Sequence, residues 1–151
     1  MNDETPAVFD LADFSAVDEA DLNIRHPVTG EPTGWIITFA GPAHPQTIAL
    51  HDRLARQSLI EEKAQRQAQI NGRKWKAEDE THEERQAKNI RQLADRIVRW
   101  SPIKINGETI PFSQQNAIKI LSDKSKGFVA QQCVDFLGAE QTFLPKPATA
   151  S

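Results

Sequence analysis

Leu22 and Ile24 alternate with Asn23 and Arg25, the period of two that sends alternate side chains to core and solvent. "LNIRH" therefore reads as a strand. "PVTGEPTG" follows, with two prolines and two glycines, and reads as a turn or loop. "WIITFAG" is a second strand, with Trp35, Ile37 and Phe39 on one face and Ile36 and Thr38 on the other. Residues 21–40 thus make one open hairpin. Pro42 and Pro45 in "GPAHPQ" end it, because a following helix cannot run back through them. From Gln46 the period changes. Ile48, Leu50, Leu54, Leu59 and Ile60 mark an imperfect apolar stripe on a helix over about 46–70. Beyond Ile60 the stripe fades into Gln, Ala, Glu, Lys and Arg, which favour helix without supplying a buried face. Asn71-Gly72 marks the break.

Ile90, Leu93, Ala94, Ile97 and Val98 stand at i, i+3, i+4, i+7 and i+8, which predicts a helix over about 76–100 that Ser101-Pro102 terminates. "IKINGETI" is a hairpin over 103–110. Asn106-Gly107 supplies the positive φ that a two-residue turn needs, so Ile105 should face Glu108, Lys104 Thr109, and Ile103 Ile110. Ser113 is a good N-cap for a helix over about 114–122 that buries Ala117, Ile118 and Leu121. A last helix over about 127–138 carries Val129, Cys133, Phe136 and Leu137 at helical spacing, and Gly138 can stop it. The expectation is an α+β fold: a mainly helical single domain over 21–144 with two short β-hairpins. An acidic flexible arm, residues 1–20, precedes it, and a flexible tail, residues 145–151, follows.

Charge is unevenly placed. Residues 1–21 hold seven carboxylates and no Lys or Arg, so the arm carries −7 and the rest of the chain +4 within a total of −3. The plain reading of the arm is a solvated tail. The sharper reading is an arm that shields a basic surface until a partner displaces it. A mildly basic body is not the concentrated basic face of a dedicated nucleic-acid binder. No apolar run approaches the roughly 20 residues of a membrane span, and the N-terminus lacks a secretory pattern. Both point to a protein made and kept in a cytoplasm. One cysteine, Cys133, excludes an internal disulfide and a multi-cysteine metal site.

Candidate chemistry is sparse. His26, His44, His51 and His82 make no H-x-x-x-H, and "THEER" lacks the second histidine of a zinc-protease helix. Cys133 sits among apolar helix positions, where a thiol packs rather than reacts. Between residues 61 and 96 nine cations interleave with eight carboxylates, the pattern of a solvated helix face. "NGRKWK" puts Arg73, Lys74 and Lys76 around Trp75, which suits phosphates and a stacked base, but Glu78, Asp79 and Glu80 oppose that field. We therefore expect no catalytic, cofactor or metal residues and no enzyme activity. Trp75, Phe143 and Leu144 are the candidate partner-binding residues; each either anchors a partner or covers the small core.

Two phrases carry a family resemblance. One is "HPVTGEP" before a strand. The other is Trp100 leading into "NGETIPFS" and its helix, with "NA" and "LSD" following. In this order, over residues 22–144, the chain resembles the tail assembly chaperones of long-tailed, siphovirus-type bacteriophages or prophages. The resemblance implies a scaffold that binds the tape measure protein, keeps it soluble and helps recruit tail tube subunits, in the cytoplasm of the infected or lysogenic bacterial host. It implies no catalytic residues, and it leaves room for weak homo-oligomers. The alternatives are a minor structural tail or head-completion protein of the virion and, less favoured by the charge pattern, a nucleic-acid-binding regulator.

Overall fold

The computed structural model describes residues 8–72, 80–139 and 142–144. The expected flexible tail, residues 145–151, and the start of the expected arm lie outside the described residues. The fold is α+β. Strands β1 (Glu19–Arg25), β2 (Pro32–Ala40) and β3 (Ile97–Trp100) form an antiparallel sheet in the order β1-β2-β3. Strands β4 (Ile103–Ile105) and β5 (Glu108–Ile110) form a separate hairpin. The helices are α1 (Pro45–Ile70), α2 (His82–Asp95), α3 (Gln114–Leu121) and α4 (Gly127–Gly138).

The first hairpin starts earlier than the alternation alone predicts, at Glu19. Its loop is closed by the Gly30 amide donating to the His26 carbonyl and the His26 amide donating to the Glu31 carbonyl. A bulge between Asn23 and Arg25 absorbs the offset, and there the Thr33 hydroxyl donates to the Ile24 carbonyl. The second hairpin has the expected register, Ile103 opposite Ile110 and Ile105 opposite Glu108, with Asn106 at φ 51° and Gly107 at φ 81°. Ser113 caps α3 by accepting from the Asn116 amide.

The helix expected over 76–100 is a correction. Of its span, residues 76–79 lie outside the described residues; Thr81 caps α2, which ends at Asp95. Residues Ile97–Trp100 then pair with β2, Ile37 opposite Trp100 and Phe39 opposite Ile97. The physical reason is that Ile97 and Val98 are β-branched and Trp100 aromatic, which suits a pleated surface. Here the free edge of β2 supplies hydrogen bonds that a longer helix would have to forgo. Ile97 is buried on either period, so the pattern could not separate the two.

The sheet packs one face on α2 and α4, and α3 packs against both of those helices. Ile24, Ile37, Phe39, Leu93, Ile97, Ala117, Ile120, Val129 and Cys133 form the centre of the core. Burying a ring such as that of Phe39 is worth about 2–3 kcal/mol. Trp100 joins the small hairpin to the sheet: its indole meets Trp35 and Phe112 edge-on at 5.7 and 5.1 Å, and its Nε1–H donates to the Ile110 carbonyl. Gln132 on α4 acts as a partner for the outer edge of β1, with its side-chain amide accepting from the Arg25 N–H and donating to the Arg25 carbonyl. The body takes up the chain before residue 20. The Val17 amide donates to the Phe143 carbonyl, and Ala16 packs on the core.

Gly41 sits where these segments meet. A Cβ there would lie 2.2 Å from the Val17 carbonyl oxygen, which the adjacent hydrogen bond from the Gly41 amide to the Asp18 carbonyl holds in place. We expect Gly41→Ala to cost about 1–3 kcal/mol, read as a lower urea midpoint. Gly127→Ala, where a Cβ meets nothing within 4 Å, is the control and should leave the midpoint near wild type. Equal midpoints for the two variants would contradict this packing.

Candidate functional site

Helix α1 has 26 residues, so it is about 39 Å long at 1.5 Å per residue. Its start is well fixed. His44 caps it by accepting from the Gln46 amide, and Pro45 occupies the first turn, where a missing amide proton costs nothing. Thr47 and Leu50 are buried, and Arg53 and Leu54 half-buried. From Ala55 to Ile70 every residue is exposed except half-buried Ala68. Leu59, Ile60 and Ile70 are 55%, 66% and 78% exposed. The first two turns of α2 are exposed as well. Polar residues hold that end of α2: Thr81 accepts from the Glu84 amide, and Lys88 pairs with Glu80 at 2.9 Å. Half of α1 and half of α2 therefore stand outside the core, carrying three large apolar side chains with no cover among the described residues.

Where α1 and α2 return to the body they meet α4. Leu50, Leu54, Leu93, Val134 and Leu137 line a groove of about 280 Å³ there, with Arg96 among its walls. Val134 is 54% exposed. The Arg96 guanidinium lies 5.4 Å over the Phe143 ring and donates through Nη2 to the Ala40 carbonyl at 2.7 Å. Its Nε is buried without an acceptor among the described residues, and burial pushes its pKa down. The sequence pattern marked Leu137 as buried face but missed Val134 and Arg96. The available signal for Val134 was its position directly after Cys133, on the flank of the α4 stripe.

Of the expected partner-binding residues, Trp75 lies outside the described residues, as do Arg73, Lys74 and Lys76 of "NGRKWK". Phe143 is a core residue, 7% exposed, packed edge-on against Phe136 at 6.2 Å. The Thr142 hydroxyl donates to the Phe136 carbonyl and turns the chain back onto α4, so the ring points inward. That burial removes Phe143 from the set of exposed anchors. Leu144 is half-buried.

The candidate reactive groups have structural partners. His26 Nδ1 accepts from the Val28 and Thr29 amides, and His44 Nδ1 serves as a cap. Asp95 accepts from both Arg53 and Gln114. Cys133 is fully buried, and its thiol is pushed up to about 12 by desolvation. Among the described residues no group of three or more His, Cys, Asp and Glu is placed to hold a metal. None of the described helices is long and apolar enough to cross a membrane. Comparison of the chain with protein-family models, curated proteins and solved structures finds no match.

Cys133 gives a direct check on the core. Desolvation in the core pushes its thiol from an ordinary 9.0 up to about 12, so folding favours the protonated form. Below about pH 9 that contribution is constant; it is lost as pH rises from 9 toward 12. We expect no reaction with a disulfide reagent at pH 8 until denaturant is added, with labelling tracking unfolding. Rapid labelling of the native chain would contradict the burial.

Proposed function

We propose that this chain is a tail assembly chaperone of a long-tailed bacteriophage or prophage, acting by binding and not by catalysis. Its client is the tape measure protein, and it helps recruit tail tube subunits in the cytoplasm of the bacterial host. The observation that carries this reading is the exposed helical pair. Leu59, Ile60 and Ile70 stand uncovered on a helix whose first turns are firmly packed. An amphipathic client helix laid along α1 would cover these side chains and its own apolar face together. The order of motifs over residues 22–144 resembles the family and is what suggests it, and the burial of Cys133 with the structural use of His26 and His44 favours a binding role.

Each contact would be small and separately weak. Many copies along one long client would hold through effective concentration, and would leave as tube subunits replaced them. The charged residues between the apolar ones keep the free chain soluble while the client is absent.

Co-expression with the tape measure protein of the same phage, followed by affinity purification, tests the proposal. We expect the client to become soluble and to co-elute. Leu59→Asp with Ile60→Asp alters only exposed positions, so the fold should persist while binding weakens about tenfold or more. An insoluble client with nothing co-eluting would overturn the reading.

A further inference from the structure

The polar ties of α1 to the body all lie on one of its flanks. From the first turn, Gln46 donates to the Asp95 and Ile97 carbonyls. Two turns further on, Arg53 pairs with the Asp95 carboxylate, which also accepts from Gln114 on α3. These groups line a cavity of about 410 Å³ that reaches Phe112. On the other flank α1 faces α4 across the groove of about 280 Å³. No hydrogen bond or ion pair joins α1 to α4 there among the described residues. Leu50 borders both spaces.

The apolar hold on α1 is short. Of its 26 residues only Thr47 and Leu50 are buried, at 0% and 5% exposure, and both lie in the first two turns. They make a pivot. Past it the helix has open volume on either side, and Arg53 is its last polar tie to the body among the described residues. From Thr47 to Ile70 the helix rises about 35 Å, so a tilt of about 10° at the pivot carries its tip about 6 Å.

We propose that α1 is a latched arm: the Arg53–Asp95 ion pair holds it off α4, and release of that pair lets α1 tilt about its first turns and close the groove onto Val134 and Leu137. The direction follows from the chemistry of the two flanks. On the α4 side, Val134 is 54% exposed and Leu54 and Leu137 are half-buried. Bringing Leu54 down onto them removes apolar surface from water. On the Asp95 side the same tilt draws Arg53 away from a carboxylate whose side chain is only 10% exposed, and a buried charge that loses its partner is costly. The two demands oppose each other, so one ion pair sets the balance between an open and a closed arm. Gln114 keeps its bond to Asp95 in either position, so release does not leave the carboxylate bare. The device belongs to this chain alone and does not rest on the chaperone reading.

Spin-label distances on the full chain test it. Nitroxides on cysteines introduced at exposed Gln65 and Gln131 report the approach of α1 to α4, while buried Cys133 stays unlabelled. Arg53→Met keeps the apolar stem and removes the guanidinium. We expect it to shorten the mean distance by about 3–6 Å, the scale of the tilt above. Arg53→Lys restores the charge and should return the distance toward that of the parent. Adding Val134→Asp to Arg53→Met puts a carboxylate into the closing face and should also restore the longer distance. Circular dichroism checks that each variant keeps its fold, and should Arg53→Met not fold, Arg53→Ala carries the same expectation. A distance that stays unchanged or lengthens once the guanidinium is gone overturns the proposal, as does one that remains short after Val134→Asp is added.

Discussion

At Arg96 the chain stops being a helix and becomes a strand, and most of the architecture hangs on how that change is held. The Ala40 amide donates to the Arg96 carbonyl at 2.7 Å, and Arg96 Nη2 returns a bond to the Ala40 carbonyl. Gln46 reaches from the first turn of α1 and donates to the carbonyls of Asp95 and Ile97. Asp95 takes bonds from Arg53 on α1 and Gln114 on α3. One two-residue bend thus satisfies the open end of α2, fixes where α1 leaves the sheet, and seats α3. Backbone groups left open at a buried helix end would each cost about 1–3 kcal/mol, so this polar cluster is what permits a helix to end inside the fold.

The consequence is an uneven molecule. Around the bend lie the sheet, α3, α4 and the shared core. Away from it, α1 and α2 extend with little tertiary burial. Their outer halves rely on the helix propensity of Ala, Gln, Glu, Lys and Arg and on weak charge pairs such as Glu80–Lys88. An isolated helix of about 12–15 residues is marginal in water. The outer turns of α1 therefore belong to the low-stability end of the molecule and stand to gain most from a partner. The proposed client-binding role would use that property: the body would supply a fixed root, and a bound client would complete the helices.

The sequence was most readable where the determinants are local. Asn106-Gly107 dictates its hairpin register, Ser113 its cap, and the prolines after Gly41 the start of α1. It was least readable where a distant partner decides. Ile97 satisfies both the helical and the strand period, and the free edge of β2, about 60 residues earlier, selects the strand. Phe143 stands in a proline-flanked tail, and only the turn through Thr142 and the ring of Phe136 shows why it is core. The uncovered half of α1 was visible as a fading stripe. The groove was not, because it forms from three helices far apart in sequence and its cation, Arg96, looks like one more charge in a balanced run. The phage resemblance rests on phrases and their order, which no local physical rule generates.

Hydrogen–deuterium exchange of the chain with and without the tape measure protein bears most directly on the central claim. If the exposed helical pair is the working surface, protection should rise across residues 55–70 and 80–90 on binding, while the already protected sheet changes little. Unchanged exchange in both helices, with new protection confined to the sheet or the β4–β5 hairpin, would contradict it.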